Sequence, residues 1–247
     1  MKTGLLLSVL SAFLQLTACS KPNTQQASPS IDTTVAPAPV TTSTDTYKTY
    51  LALGDSYTIG QSVPANQNYP SQTVAILNDS VIQFNLPKII ATTGWTTQDL
   101  LNATGNTPVP IHPFDIVTLL IGVNNQYQGL PQSEYKTQFT ILLQESIAYA
   151  GNKPSHVIVL SIPDYSVTPY GKSTGRAAFI SSQIDSFNSI NKQVTDSFNV
   201  NYLDITGESR NVANDSTLIA SDGLHYSGKE YAIWSTMLAS LIANIVK

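Results

Sequence analysis

A serine follows the first apolar run of this chain: Tyr50-Leu51-Ala52-Leu53 leads into Gly54-Asp55-Ser56. A hydroxyl attacks an acyl carbon only when a base takes its proton. That base, most often His, needs a further group to hold its tautomer. The chain has three His. His112 lies ahead of one apolar run and His156 opens another, whereas His225 follows the last strand-like run. Asp222 stands three residues before His225, close enough for a carboxylate to reach the imidazole N–H from one turn. Ser56, His225 and Asp222 therefore have the types and order that acyl transfer requires. Each fragment also has a plainer reading. Gly-Asp-Ser occurs in ordinary turns, and Asp222-Gly223-Leu224-His225 suits a polar turn ahead of a helix.

The elements that must position these residues follow from periodicity. Short apolar runs at Tyr50–Leu53, Lys88–Ala91, Asp115–Ile121, His156–Ile162 and Val200–Ile205 have strand length. Between them Tyr69–Leu77, Ser133–Ala150 and a stretch carrying Ile180, Ile184, Phe187, Ile190, Val194 and Phe198 have helical spacing. In the last helix Tyr231, Trp234, Leu238, Leu241 and Ile245 recur at three and four residues. Ser227 and Glu230, three apart, suggest a capping box at its start. Strands alternating with helices predict a parallel sheet of about five strands, covered on both faces. In such sheets ligands sit beyond the carboxyl ends of the strands. That rim collects Ser56, the Thr92–Trp95 segment, Gly122-Val123-Asn124-Asn125, Pro163-Asp164 and the Asp222–His225 segment, while His112 and His156 fall on the opposite rim. Tyr165 and Tyr170, in the loop from Pro163 to Arg176, are placed to pack on a sugar or an acyl chain, or simply on the fold.

The N-terminus has a different character. Lys2 precedes a mostly apolar segment from Leu5 to Leu16, too short to span a membrane and suited to a secretory signal peptide. It ends in Leu16-Thr17-Ala18-Cys19, which resembles the lipobox of bacterial lipoproteins. The expected organisation is a signal peptide over residues 1–18, a lipid-anchored tether over 19–46 and a catalytic domain over 47–247. The tether is rich in Thr, Ser, Pro and Ala and poor in large apolar residues, so it cannot offset the entropy of ordering. Cys19 is the only Cys, which excludes an internal disulfide and a Cys-rich zinc site. With 12 Lys+Arg against 16 Asp+Glu and no basic run, nucleic acid is not an expected partner.

Taken together, Gly54-Asp55-Ser56-Tyr57, Gly94, Gly122-Val123-Asn124-Asn125 and Asp222-Gly223-Leu224-His225 resemble, in order, the blocks of the SGNH hydrolases, also called the GDSL esterase/lipase family. The resemblance covers essentially the whole domain. It implies a three-layer, doubly wound, flavodoxin-like α/β sandwich. It also implies Ser56 as nucleophile, His225 as general base and Asp222 as its orienting acid. The oxyanion hole would consist of the Ser56 and Gly94 backbone N–H groups and the Asn124 amide. Two positions depart from the family pattern: Tyr57 replaces a frequent Leu, and Asn125 replaces the usual Asp. No metal or organic cofactor is required. The expected protein is a monomeric serine esterase of the bacterial envelope, held through Cys19, with the outer membrane as the expected site. Its substrates would be short acyl esters, lysophospholipids or acetylated glycans. The alternative is a non-enzymatic surface lipoprotein that keeps the fold to bind glycan or lipid.

Overall fold

The computed structural model describes residues 47–80 and 82–247. The expected signal peptide, Cys19 and the tether lie outside the described residues. Five parallel strands, β1 (Tyr50–Gly54), β2 (Lys88–Ala91), β3 (Ile116–Leu120), β4 (Val157–Leu160) and β5 (Asn201–Leu203), form one sheet in the order β2-β1-β3-β4-β5. Every residue of β1, β3 and β4 is buried, as expected of central strands covered on both faces; β2 and β5 are edges and less covered.

Helices lie on both sides of the sheet. In chain order they are α1 (Ser56–Ile59), α2 (Tyr69–Asn78), α3 (Thr97–Gly105), α4 (Val123–Tyr127), α5 (Gln132–Tyr149), α6 (Pro169–Ser173), α7 (Ala177–Ser197), α8 (Thr206–Ser209) and α9 (Gly228–Ile245). α2 packs on α9, and α5 packs on both α3 and α7. This is the doubly wound arrangement expected from the sequence. Its strand order reverses between β1 and β3, where open α/β sheets place their ligands.

The N-terminus of α9 differs from the expected capping box. The Ser227 side chain makes no cap bond; its Oγ donates to the Thr217 carbonyl at 2.8 Å. Glu230 is turned into the core, where Oε1 accepts from Trp234 Nε1 at 2.7 Å. The box that does form is at α3, a helix that the apolar spacing did not predict. Asp99 N–H donates to Thr96 Oγ1, and Thr96 N–H donates to Asp99 Oδ2. The strand read over Val200–Ile205 is shorter than expected because the Ile205 and Thr206 N–H groups both donate to Ser161 Oγ and so leave the ladder.

Two buried carboxyls set a pH dependence of stability. Burial pushes Glu230, and also Asp55, up to about 7. From the ordinary carboxyl range to about pH 7 the folded chain therefore holds protons that the unfolded chain has released. Stability falls as pH rises through that window and levels off above it. The melting temperature is expected to be higher at pH 5 than at pH 8. Glu230→Gln, which keeps the acceptor for Trp234, should narrow the difference. Equal slopes for variant and parent in calorimetry across this range would exclude Glu230 as a source.

Candidate active site

Two strand ends and the loop before α9 build the site. β1 runs straight into α1, whose first residue is Ser56 and whose N-cap is Asp55; Asp55 Oδ1 accepts from Tyr57 N–H at 3.0 Å. This sharp strand-to-helix passage puts the Ser56 side chain at the mouth of the switch point. Past the end of β3, the N-cap of α4 is Gly122, at φ +130°, where a Cβ would meet the Tyr135 ring at 2.6 Å. Only glycine fits there, and the turn it permits delivers α4 and Asn124 beside Ser56. The third contribution is the loop before α9, which carries Asp222 and His225.

Ser56, Asn124 and His225 share the wall of one pocket of about 80 Å³ with Tyr57, Val123, Tyr127, Tyr165 and Leu224. Asp222 lies behind the imidazole. Its Oδ2 accepts from His225 Nδ1 at 2.6 Å and from Ser62 Oγ at 2.6 Å, and its Oδ1 accepts from the Leu224 and His225 N–H groups at 2.9 Å each. Burial pushes this carboxyl up, but the hydrogen bonds from Ser62, Leu224 N–H and His225 outweigh it and hold it well below the usual carboxylate range. An ionised carboxylate only accepts, so the proton between the two side chains sits on Nδ1 and Nε2 is left as a base. The Tyr57 ring packs edge-on against the imidazole, centroids 5.6 Å apart, and fixes its plane from the other side. Ser56 Oγ makes no hydrogen bond within the protein among the described residues.

Asn124 Nδ2 donates to the Trp95 carbonyl at 2.9 Å, which leaves its second N–H free of that bond and ties α4 to the turn after β2. Gly94 lies in that turn at φ +84°, exposed and on the same rim, but it is not part of the pocket wall. A second tie, Thr93 Oγ1 to Gln61 Oε1 at 2.6 Å, holds this turn to the segment after α1. Asn125 is fully buried and suits its place as an amide. Oδ1 accepts from Thr97 N–H at 3.0 Å and Nδ2 donates to Thr97 Oγ1 at 2.7 Å, while that hydroxyl donates to Gln138. A carboxylate there would compete with Gln138 for the single Thr97 proton.

His112 and His156 are not at the site. His156 bonds the Asp115 carbonyl through Nδ1 at 2.7 Å, at the amino ends of the strands. Asp164, although at a strand end, is consumed by structure: its Oδ2 accepts from Ser181 and from Arg210 Nε at 2.9 Å. No group of three His, Cys, Asp or Glu among the described residues is arranged to hold a metal ion. Sequence reasoning passed over Ser62, which sits at φ +69° and meets Asp222 from 160 residues away, and Tyr127, at the end of a helix too short to show a period.

A serine-bearing turn, an imidazole backed by a carboxylate and a side-chain amide at the switch point of a doubly wound sheet are the arrangement of a serine hydrolase. Residues 52–233, well over half of the chain, match the GDSL-like lipase/acylhydrolase family. The chain belongs to that family and acts on ester bonds. Similar solved structures include the lipase/acylhydrolase from Enterococcus faecalis, at 19% identity and TM-score 0.64 over 81% of this chain and 97% of that one. The lipase Lip_vut3 from a goat rumen metagenome aligns at 19% identity and TM-score 0.62 over 78% and 97%. Axe2, an acetylxylan esterase from Geobacillus stearothermophilus, aligns at 18% identity and TM-score 0.60 over 79% and 94%. At these identities the likeness is one of fold. No curated protein sequence matches the chain.

Proposed function

We propose that the protein hydrolyses carboxylic esters carrying a short acyl group through Ser56, His225 and Asp222. The observation that carries this reading is the 2.6 Å bond from His225 Nδ1 to Asp222, on an imidazole that shares a pocket wall with Ser56. His225 Nε2 takes the Ser56 proton as Oγ attacks the ester carbonyl. The developing oxyanion is held by the second Asn124 N–H and by the Ser56 and Gly94 backbone N–H groups. The imidazolium then protonates the leaving alkoxide, and the acyl group remains on Ser56. Water, deprotonated by His225, attacks the acyl-enzyme and restores Ser56. Apo geometry that lacks the serine–histidine hydrogen bond is compatible with this sequence, since such bonds tighten as substrate binds.

The pocket beside Ser56, about 80 Å³ in volume and open on one side, has room for an acetyl-sized group. That suits the acyl group of short acyl esters and of acetylated glycans, two of the three expected substrate classes. A fluorophosphonate probe tests the reading. Covalent labelling at Ser56, abolished in Ser56→Ala, is expected; an unlabelled folded protein would favour the non-enzymatic alternative.

The expected oxyanion donor gives a separate result. Asn124→Ala should lower kcat by roughly 10²–10³. KM should move little, because the bond strengthens as charge develops. Steady-state kinetics on an acetate ester checks this, and an unchanged kcat would remove Asn124 from the mechanism.

The lipid anchor at Cys19 and the placement in a bacterial envelope, at the outer membrane and as a monomer, belong to the same proposal. No helix among the described residues is long and apolar enough to cross a membrane. Loss of labelled fatty acid in Cys19→Ala is the corresponding test.

A further inference from the structure

The short-acyl pocket is not isolated. Tyr127 and Tyr165, two of its walls, also line a neighbouring cleft of about 360 Å³. That volume falls in the range of about 300–1,000 Å³ usual for small-molecule sites. An ester seated at Ser56 with its acyl group in the small pocket must direct its alcohol portion outward. The cleft across the Tyr127 ring is where a bulky alcohol portion would lie.

The lining of the cleft selects among alcohols. Phe179, on the first turn of α7, is half-exposed, and the Arg176 guanidinium stands 4.5 Å from its ring centroid. The guanidinium holds that ring in place. Tyr127 is likewise exposed, and its ring is held by a 2.7 Å hydrogen bond between its hydroxyl and that of Tyr170. Tyr165 Oη donates to Gln126 Oε1 at 3.0 Å. The walls thus present restrained aromatic rings. Between them stand the amides of Gln126, Gln128 and Gln183 and the hydroxyl of Thr174, and no carboxylate lines the cleft. A fatty chain gains most from apolar walls on every side, and in this cleft the amides and the hydroxyl interrupt them. A pyranose ring has apolar C–H faces for the aromatic rings and hydroxyls for the amides. The cleft wall is also coupled to the chemistry: Tyr170 N–H donates to the Gly223 carbonyl at 2.9 Å, inside the loop that carries Asp222 and His225.

We infer that the cleft between Tyr127 and Phe179 is a subsite for the sugar of an acetylated carbohydrate, so that the protein removes acetyl groups from glycans. The inference rests on the esterase reading for its chemistry but not for its binding.

Phe179 touches none of the reacting groups, so Phe179→Ala separates the subsite from the triad. Kinetics on an O-acetylated methyl pyranoside, on ethyl acetate and on an octanoyl ester of ethanol gives the first readout. The expected result is a higher kcat/KM for the acetylated pyranoside than for ethyl acetate. Phe179→Ala should raise its KM roughly three- to ten-fold, the usual worth of an aromatic contact. The variant should leave ethyl acetate unchanged, and Phe179→Tyr should restore the sugar ester. Binding of xylotriose to the parent protein and to Phe179→Ala, followed by NMR, needs no turnover and should show the same dependence. Equal effects of Phe179→Ala on all three esters, or an effect confined to the octanoyl ester, would overturn the sugar assignment. So would absence of xylotriose binding, even with ethyl acetate hydrolysis intact. Phe179-dependent xylotriose binding in a protein that cleaves no ester would uphold the subsite and sink the esterase reading instead.

Discussion

Ser56→Ala and His225→Ala are each expected to lower kcat by about 10⁶, and the double variant should be no worse than either single one. In the proposed mechanism the nucleophile and its base act as one unit: without His225 the Ser56 hydroxyl keeps its proton, and without Ser56 the imidazole has nothing to activate. Both side chains lie on the rim of the sheet beside a pocket, outside the packed layers between sheet and helices, so both variants should fold. Melting curves establish that first; turnover of an acetate ester then gives the rates. A His225→Ala protein with near-parental turnover would end the assignment. His156 is bonded at the amino ends of the strands, and His112 precedes β3 at that same end; neither can stand in for it.

Asp222→Asn is expected to cost about 10⁴ in kcat, less than loss of the nucleophile but far more than loss of a turn residue. The geometry says why. The Leu224 and His225 N–H groups both donate to Oδ1, so an amide in this position must keep its oxygen there. Its NH₂ then faces His225 Nδ1, which becomes an acceptor and drives the ring proton to Nε2. The imidazole is left in the tautomer that cannot take a proton from Ser56. Ser62→Ala, by contrast, removes one of four hydrogen bonds to the carboxylate and leaves the tautomer intact, so its loss should be about ten-fold or less. Rates of fluorophosphonate labelling in the two variants, read beside kcat, check the order. An Asp222→Asn enzyme within ten-fold of the parent would reduce Asp222 to a structural role.

The local sequence determined the architecture of this protein and pointed to the residues of its candidate site. Strand runs such as Ile116–Leu120 and Val157–Leu160 are apolar throughout because central parallel strands are buried on both faces, and that burial is written residue by residue. The rim argument then selected His225 over His112 and His156 without coordinates. Helix α3 went unread: Thr96 and Asp99 form a capping box, but its buried face is too sparse for a period. The same signature at Ser227 and Glu230 misled, because the Ser227 N–H is already bonded to the Leu218 carbonyl and Trp234 offers Glu230 a buried partner.

Tertiary structure alone decided what surrounds the candidate site. Ser62 reaches Asp222, Asn124 reaches Trp95, and Tyr127 meets Tyr170 across separations of 160, 29 and 43 residues. Such contacts arise where crossovers bring separate strand ends to one switch point. No local period or propensity encodes them, since each residue is ordinary in its own segment and acquires its role only from the partner that the sheet order places beside it.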